Sequence, residues 1–125
     1  MTVLVDSSVW IDYFRSGKNS GNLDSLIDEN IVATNDLILT EMVPYLKLRK
    51  QRKIVGLLNT IERAKLDIRW DQLIDWQYQC LMQGLNGIGI PDLIIAQNAV
   101  QNNCALYSLD SHFKLIEMIV KIELY

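Results

Sequence analysis

Two short apolar runs that each stop on an aspartate frame this chain. Thr2-Val3-Leu4-Val5 leads straight into Asp6, and Ala105-Leu106-Tyr107-Ser108-Leu109 leads into Asp110. Each aspartate precedes a helix-start signal, so the first run reads as strand, acid, then helix, and so does the second. Strands buried on both faces read as apolar runs of this kind. A helix between successive strands lets them lie parallel in one sheet. In such sheets, ligands bind beyond the carboxyl ends of the strands, where both aspartates are expected.

Strand and helix patterns continue to alternate between the two runs. Val9, Trp10, Tyr13 and Phe14 recur at helical spacing up to Arg15, and Gly17 to Asn22 reads as a loop. Leu23 to Asp28 is a short helix and Asn30 to Ala33 a second strand. Asn35-Asp36 caps a helix carrying Leu37, Ile38, Met42, Tyr45 and Leu46, with a kink expected at Pro44. Further helices are expected over Lys53–Arg63, Asp71–Met82, Pro91–Gln101 and Ser111–Met118. Strands are expected at Leu66–Ile68, Ala105–Ser108 and Val120–Leu124. The expectation is one domain over residues 1–125, α/β in class, a three-layer α/β/α arrangement around a mainly parallel sheet.

With 125 residues, half of them hydrophobic, the chain can bury one real core but not two. Charged residues make up 22%, with no repetitive or purely polar stretch, so no disordered arm is expected. No apolar run approaches the roughly 18 residues of a membrane span, and Val3-Leu4-Val5 is too short for a secretory signal. A soluble, cytoplasmic protein without a membrane partner is therefore expected. Cys80 and Cys104 sit in apolar segments without CxxC spacing and with one histidine in the chain, a poor basis for a disulfide or zinc site. The net charge of −3 argues against coating nucleic acid by charge alone. It is compatible with an enzyme that gathers carboxylates around divalent cations.

Four acids can meet at one edge of such a sheet. Asp6 and Asp110 follow strands, and each also has an ordinary explanation as a helix cap. Glu41 has Leu37, Ile38, Pro44 and Tyr45 as its helical neighbours, so it lies on or beside an apolar stripe, where an unpaired charge is costly. The other reading is a glutamate at the border of the stripe that reaches water. Asp92 stands in the first turn of its helix, which the helix dipole favours, on a face with the small residues Ala96 and Ala99. Several oxygen ligands without histidine or cysteine suit Mg²⁺ or Mn²⁺ better than zinc.

Four stretches, Val3-Leu4-Val5-Asp6-Ser7-Ser8-Val9-Trp10, Leu39-Thr40-Glu41-Met42, Ile90-Pro91-Asp92-Leu93-Ile94-Ile95-Ala96 and Ser108-Leu109-Asp110-Ser111-His112-Phe113, follow in the order of one known family. In them the chain resembles the PIN-domain family, and within it the VapC-like toxins of bacterial toxin–antitoxin pairs. The resemblance implies that Asp6, Glu41, Asp92 and Asp110 are metal-binding catalytic acids of a Mg²⁺- or Mn²⁺-dependent endoribonuclease. It also implies a homodimer held inactive by a cognate antitoxin protein. Many members carry a further acid two residues after the fourth, where this chain has His112, which leaves one or two metals open. Ser7 or Ser8 can serve phosphate or an outer-sphere water, or simply the helix start. Lys47, Arg49, Lys50, Arg52 and Lys53 form either a solvated connection or a rim contacting RNA phosphates. A non-catalytic interaction module on the same fold is the main alternative. A phospho-acceptor signalling domain would require paired acids after the first strand, where Asp6 is followed by Ser7-Ser8.

Overall fold

Strand β1, Thr2–Val5, holds the middle of the molecule in the computed structural model, which describes residues 1–125. Its neighbours are β2, Val32–Thr34, and β4, Cys104–Tyr107, both parallel to it. A fourth strand, β3, Glu62–Arg63, pairs in parallel with β2, giving the order β3-β2-β1-β4. Val3, Leu4 and Val5 are fully buried, as expected for a central strand covered on both faces, and β4 is buried throughout. The exposed two-residue β3 is the sheet's thin edge.

Helices follow the strands and flank the sheet, so the α/β class and the parallel sheet hold. They are α1, Ser7–Arg15; α2, Leu23–Asp28; α3, Asp36–Leu48; α4, Arg52–Thr60; α5, Trp70–Met82; α6, Ile90–Gln101; and α7, His112–Ile116. Helix α6 packs against β4, α5 and α7, and α3 packs against α1, α4 and α6. Ala96 and Ala99 are buried, the small-residue face that brings α6 close to the sheet. Pro44 lies within α3, which continues past it to Leu48. Both Pro44 and Thr40, whose carbonyl loses its partner there, are exposed, so water can replace the bond.

Three expectations need correction. The third strand forms at Glu62–Arg63, not Leu66–Ile68, and α4 stops at Thr60 rather than running to Arg63. Ile61 is extended (φ −76°, ψ 142°), and the Ala64 N–H donates to the Thr34 carbonyl at 2.8 Å. Beyond it the chain leaves the sheet, because side chains of α6 take up its backbone groups. Asn98 donates to the Lys65 carbonyl (3.0 Å), Gln101 to that of Asp67 (2.8 Å), and Gln97 both accepts from and donates to the Arg69 backbone. The expected final strand, Val120–Leu124, is reduced to a single bridge between Leu106 and Leu124, and α7 ends at Ile116.

The third correction concerns the first helix, where a chain with so little interior is expected to leave some of Trp10, Tyr13 and Phe14 exposed as a partner surface. Trp10 is wholly buried and packs on Phe14 with ring centroids 5.9 Å apart, so the aromatic residues of α1 belong to the core rather than to an exposed patch. The exposed apolar face is on α5 instead, where Trp70, Ile74, Tyr78 and Leu81 line up at helical spacing beside Ile90. Cys80 and Cys104 are buried free thiols. No helix is long and apolar enough to cross a membrane.

Candidate metal centre

Asp6 emerges from β1 at the level of Ser108, because Val5 pairs with Tyr107 in the neighbouring strand. Its side chain caps no helix N–H, although its backbone carbonyl receives the first bonds of α1. The carboxylate is buried, at 5% exposure, and Oδ2 accepts from two hydroxyls, Ser8 Oγ and Ser108 Oγ, each at 2.8 Å. Each serine in turn accepts a backbone N–H from the turn after β4: Leu109 donates to Ser8 and Asp110 to Ser108, both at 3.0 Å. The two strand ends are thereby tied together, and one oxygen of Asp6 is left outside this network.

Asp110 caps the turn into α7 in the ordinary way, its Oδ1 accepting the His112 N–H at 2.9 Å. That same turn swings the His112 ring back over the acids. Nδ1 lies 3.1 Å from Asp92 Oδ2 and 3.4 Å from Asp110 Oδ1. Asp92 reaches this point from the first turn of α6. Ligand-type atoms of Asp92, Asp110 and His112 all fall within 4.8 Å of one another. The donor set is thus not the histidine-free one expected, since the ring stands among the carboxylates.

Glu41 approaches from α3. It is exposed by more than a third, which selects the second of the two readings: the core stripe of α3 is Ile38, Leu39, Met42 and Leu46, and Glu41 sits at its border. Partial desolvation nevertheless raises its proton affinity, and the negative charges of Asp6 and Asp92 push the same way. Asp92 is raised too, chiefly by burial and further by Asp110. The His112 hydrogen bond and the Gly89 N–H oppose the rise. No lysine or arginine pairs with any of the four acids; His112 is their one basic neighbour.

Of the four sequence-derived acids, Asp92 and Asp110 stand within the tight ligand cluster, while Asp6 and Glu41 lie near enough for their charges to be felt across the carboxyl edge. Two participants were not assigned a role from sequence. Ser108 could have been found from strand register, since a residue level with Asp6 on the adjacent strand must face its turn. His112 had only its place two residues past Asp110 to signal it. The group suits a hard divalent cation: convergent carboxylates with no lysine or arginine to neutralise them, and one nitrogen donor among them. Away from the acids, Lys47, Lys50 and Arg52 line a depression of about 600 Å³ with Val55, Gly56 and Asn59. Arg49 lies over the Tyr45 ring, 4.9 Å from its centroid.

No curated protein is significantly similar to the chain in sequence. Its fold is similar to a chain of VapBC2 from Rickettsia felis, solved with a DNA fragment from their promoter (TM-score 0.77, 21% identity, covering 100% of this chain and 98% of that one). It is likewise similar to a chain of VapBC-1 from nontypeable Haemophilus influenzae (TM-score 0.74, 16% identity, 100% and 97% covered). A third similar structure is Mycobacterium tuberculosis VapC20, a sarcin–ricin loop cleaving toxin (TM-score 0.62, 15% identity, 90% and 93% covered). At these identities the likeness is one of fold. Sequence is decisive for the family: residues 3–117 match the PIN domain, a span that contains all four acids and His112. With that match and this arrangement of strand ends, the chain belongs to the PIN-domain family.

Proposed function

We propose that the chain is a Mg²⁺- or Mn²⁺-dependent endoribonuclease that hydrolyses RNA phosphodiester bonds, and that it is the toxin of a toxin–antitoxin pair. One observation carries the reading: acids from four separate elements converge at the sheet's carboxyl edge without a lysine or arginine to neutralise them. A divalent ion held there supplies charge relief at the phosphate and lowers the pKa of a bound water. The chain's own residues divide the remaining work. Asp6, fixed through Oδ2 by Ser8 and Ser108, presents its other oxygen in a set orientation. Asp92 and Asp110, beside His112, would hold the ion with Asp6, with Asp110 a ligand or a water-positioning acid. Glu41, whose proton affinity is raised, is suited to accept a proton from the attacking water as well as to bind the ion.

The partners follow from the same reading. RNA phosphates fit the basic depression of Lys47, Lys50 and Arg52. The VapBC complexes to which the fold is similar support a cognate antitoxin protein. Its place would be the small cleft between α1 and α3, about 100 Å³, lined by Phe14, Arg15, Tyr45, Leu46, Arg49 and Gln51. A second copy of the chain would cover the α5 face, since a row of exposed Trp70, Ile74, Tyr78 and Leu81 is more than a monomer of this size usually leaves in water. Ile74→Asp should then give a monomer by light scattering. An unchanged mass would remove the α5 assignment.

Purified protein incubated with mixed RNA tests the activity. Cleavage should appear with Mg²⁺ or Mn²⁺, vanish in EDTA and be absent from Asp6→Asn. Cleavage that persists in EDTA would sink the metal-dependent reading. A folded protein that binds metal but cuts no RNA would favour the non-catalytic module.

A further inference from the structure

The geometry points to His112 as an inner ligand of the ion held by Asp92 and Asp110, so that this centre takes Mn²⁺ in preference to Mg²⁺. The inference rests on the proposed metal dependence and adds to it the identity of one donor and the ranking of ions. Three features of the ring support it. Nδ1 is the nitrogen that faces the cluster, 3.1 Å from Asp92 Oδ2 and 3.4 Å from Asp110 Oδ1, while Nε2 lies on the side of Gly87. The backbone N–H of His112 is bonded to Asp110 Oδ1 at 2.9 Å, which fixes the point from which the ring leaves the chain relative to that carboxylate. Finally, both carboxylates keep the ring as their one basic neighbour, and an ion that takes its place among three ligand atoms within 4.8 Å meets a nitrogen along with oxygens.

That nitrogen decides between ions. Mg²⁺ demands near-octahedral oxygen coordination and is held by carboxylates, phosphates and water. Imidazole suits transition ions, and Mn²⁺ accepts it together with carboxylates. A centre of two aspartates and one imidazole therefore binds Mn²⁺ more tightly than an all-oxygen centre would, relative to Mg²⁺.

His112 is the only histidine in the chain, which makes the test unambiguous. Full-length protein without RNA is loaded with Mn²⁺, and pulsed electron paramagnetic resonance is recorded for imidazole nitrogen coupling. The wild type should show that coupling, and His112→Asp should lose it. Titration calorimetry with Mn²⁺ and Mg²⁺ alone should give a preference for Mn²⁺ that falls about tenfold in His112→Asp. Bound Mn²⁺ without nitrogen coupling in the wild type overturns the inference and leaves the proposed nuclease intact. No binding of Mn²⁺ at all overturns both. The wild-type spectrum decides the question even if the variant fails to fold.

Discussion

Asp6 is held by oxygens rather than by charge, and this dictates how it responds to substitution. Asparagine keeps a carbonyl oxygen that can accept from both Ser8 and Ser108, so Asp6→Asn should retain the fold, and with one repelling charge removed its melting temperature in EDTA should not fall below that of the wild type. What it loses is ligand charge, and metal-dependent RNA cleavage should be abolished in a gel-based assay. Ser108→Ala acts differently. It strips one donor from buried Asp6 and leaves the Asp110 N–H without its acceptor, costing about 1–3 kcal/mol in a urea melt. Cleavage in the same variant should drop about tenfold through misplacement of two acids. Glu41 and Asp92 set a pH dependence. Both hold protons more tightly when folded than unfolded, so their ionised forms destabilise the metal-free fold above their raised pKa values. That penalty is relieved as pH falls toward the ordinary carboxylate value. In EDTA the melting temperature should thus rise as pH falls through the raised pKa values toward the ordinary carboxylate value, and a fall there would contradict the assignment. The acids were readable from sequence because each stands at a strand end or helix start. Their supporting serine and histidine were not: the Ser108 contact spans 102 residues and depends on strand register, and the His112 contact with Asp92 depends on how the turn before α7 meets the first turn of α6.

At the level of elements, what was legible is what periodicity encodes. Strands β1 and β4 and helices α3, α5 and α6 carry long or fully apolar signals. The misplaced third strand shows the limit. Leu66 and Ile68 look like a strand, yet the backbone around them is bonded to Asn98, Gln101 and Gln97 of α6, an interaction that no local pattern announces. Asn98 also accepts from Asn35 Nδ2 at 2.9 Å, and Asn35 caps α3 through the Ile38 N–H. One buried amide therefore joins α3, α6 and the segment after β3. Asn98→Ala should cost about 2–4 kcal/mol in chemical denaturation, because several buried partners are orphaned together. Helix ends tell a second story. The chain turns left-handed two residues past α1, α2, α3, α5 and α6, at Gly17, Asn30, Lys50, Gly84 and Asn103. Glycine or asparagine suits four of these places; Lys50, at φ 58°, bears the steric cost of a β-carbon there. Lys50→Gly should stabilise the protein by about 1 kcal/mol, read from the denaturation midpoint, and a loss of stability would refute that account.

For the whole molecule, the four acids set a balance between stability and ion binding. The chain is already negative, at −3, and it concentrates four carboxylates where β1, α3, α6 and the β4–α7 turn meet. These are elements that also carry the core, with Val5, Met42, Ile95 and Phe113 all buried beneath them. Repulsion among the acids therefore loads the same strand ends and helix starts on which the fold depends. A divalent ion bound there would relieve that repulsion and would bind only the folded chain, since Asp6 and Asp110 lie more than a hundred positions apart in sequence. Linkage then requires that metal stabilise the whole domain, by about 2.7 kcal/mol when its concentration is a hundred times the dissociation constant. For a chain of this length, that corresponds to a rise in melting temperature of about 10 °C. The expected result is a saturable rise with Mn²⁺ or Mg²⁺, reversed by EDTA and largely abolished in Asp6→Asn. Sodium chloride at matched ionic strength should reproduce only a small part of it, because screening weakens repulsion without bridging the carboxylates. If sodium chloride raises the melting temperature as far as the divalent ions do, the acids are a solvated cluster and not a metal centre.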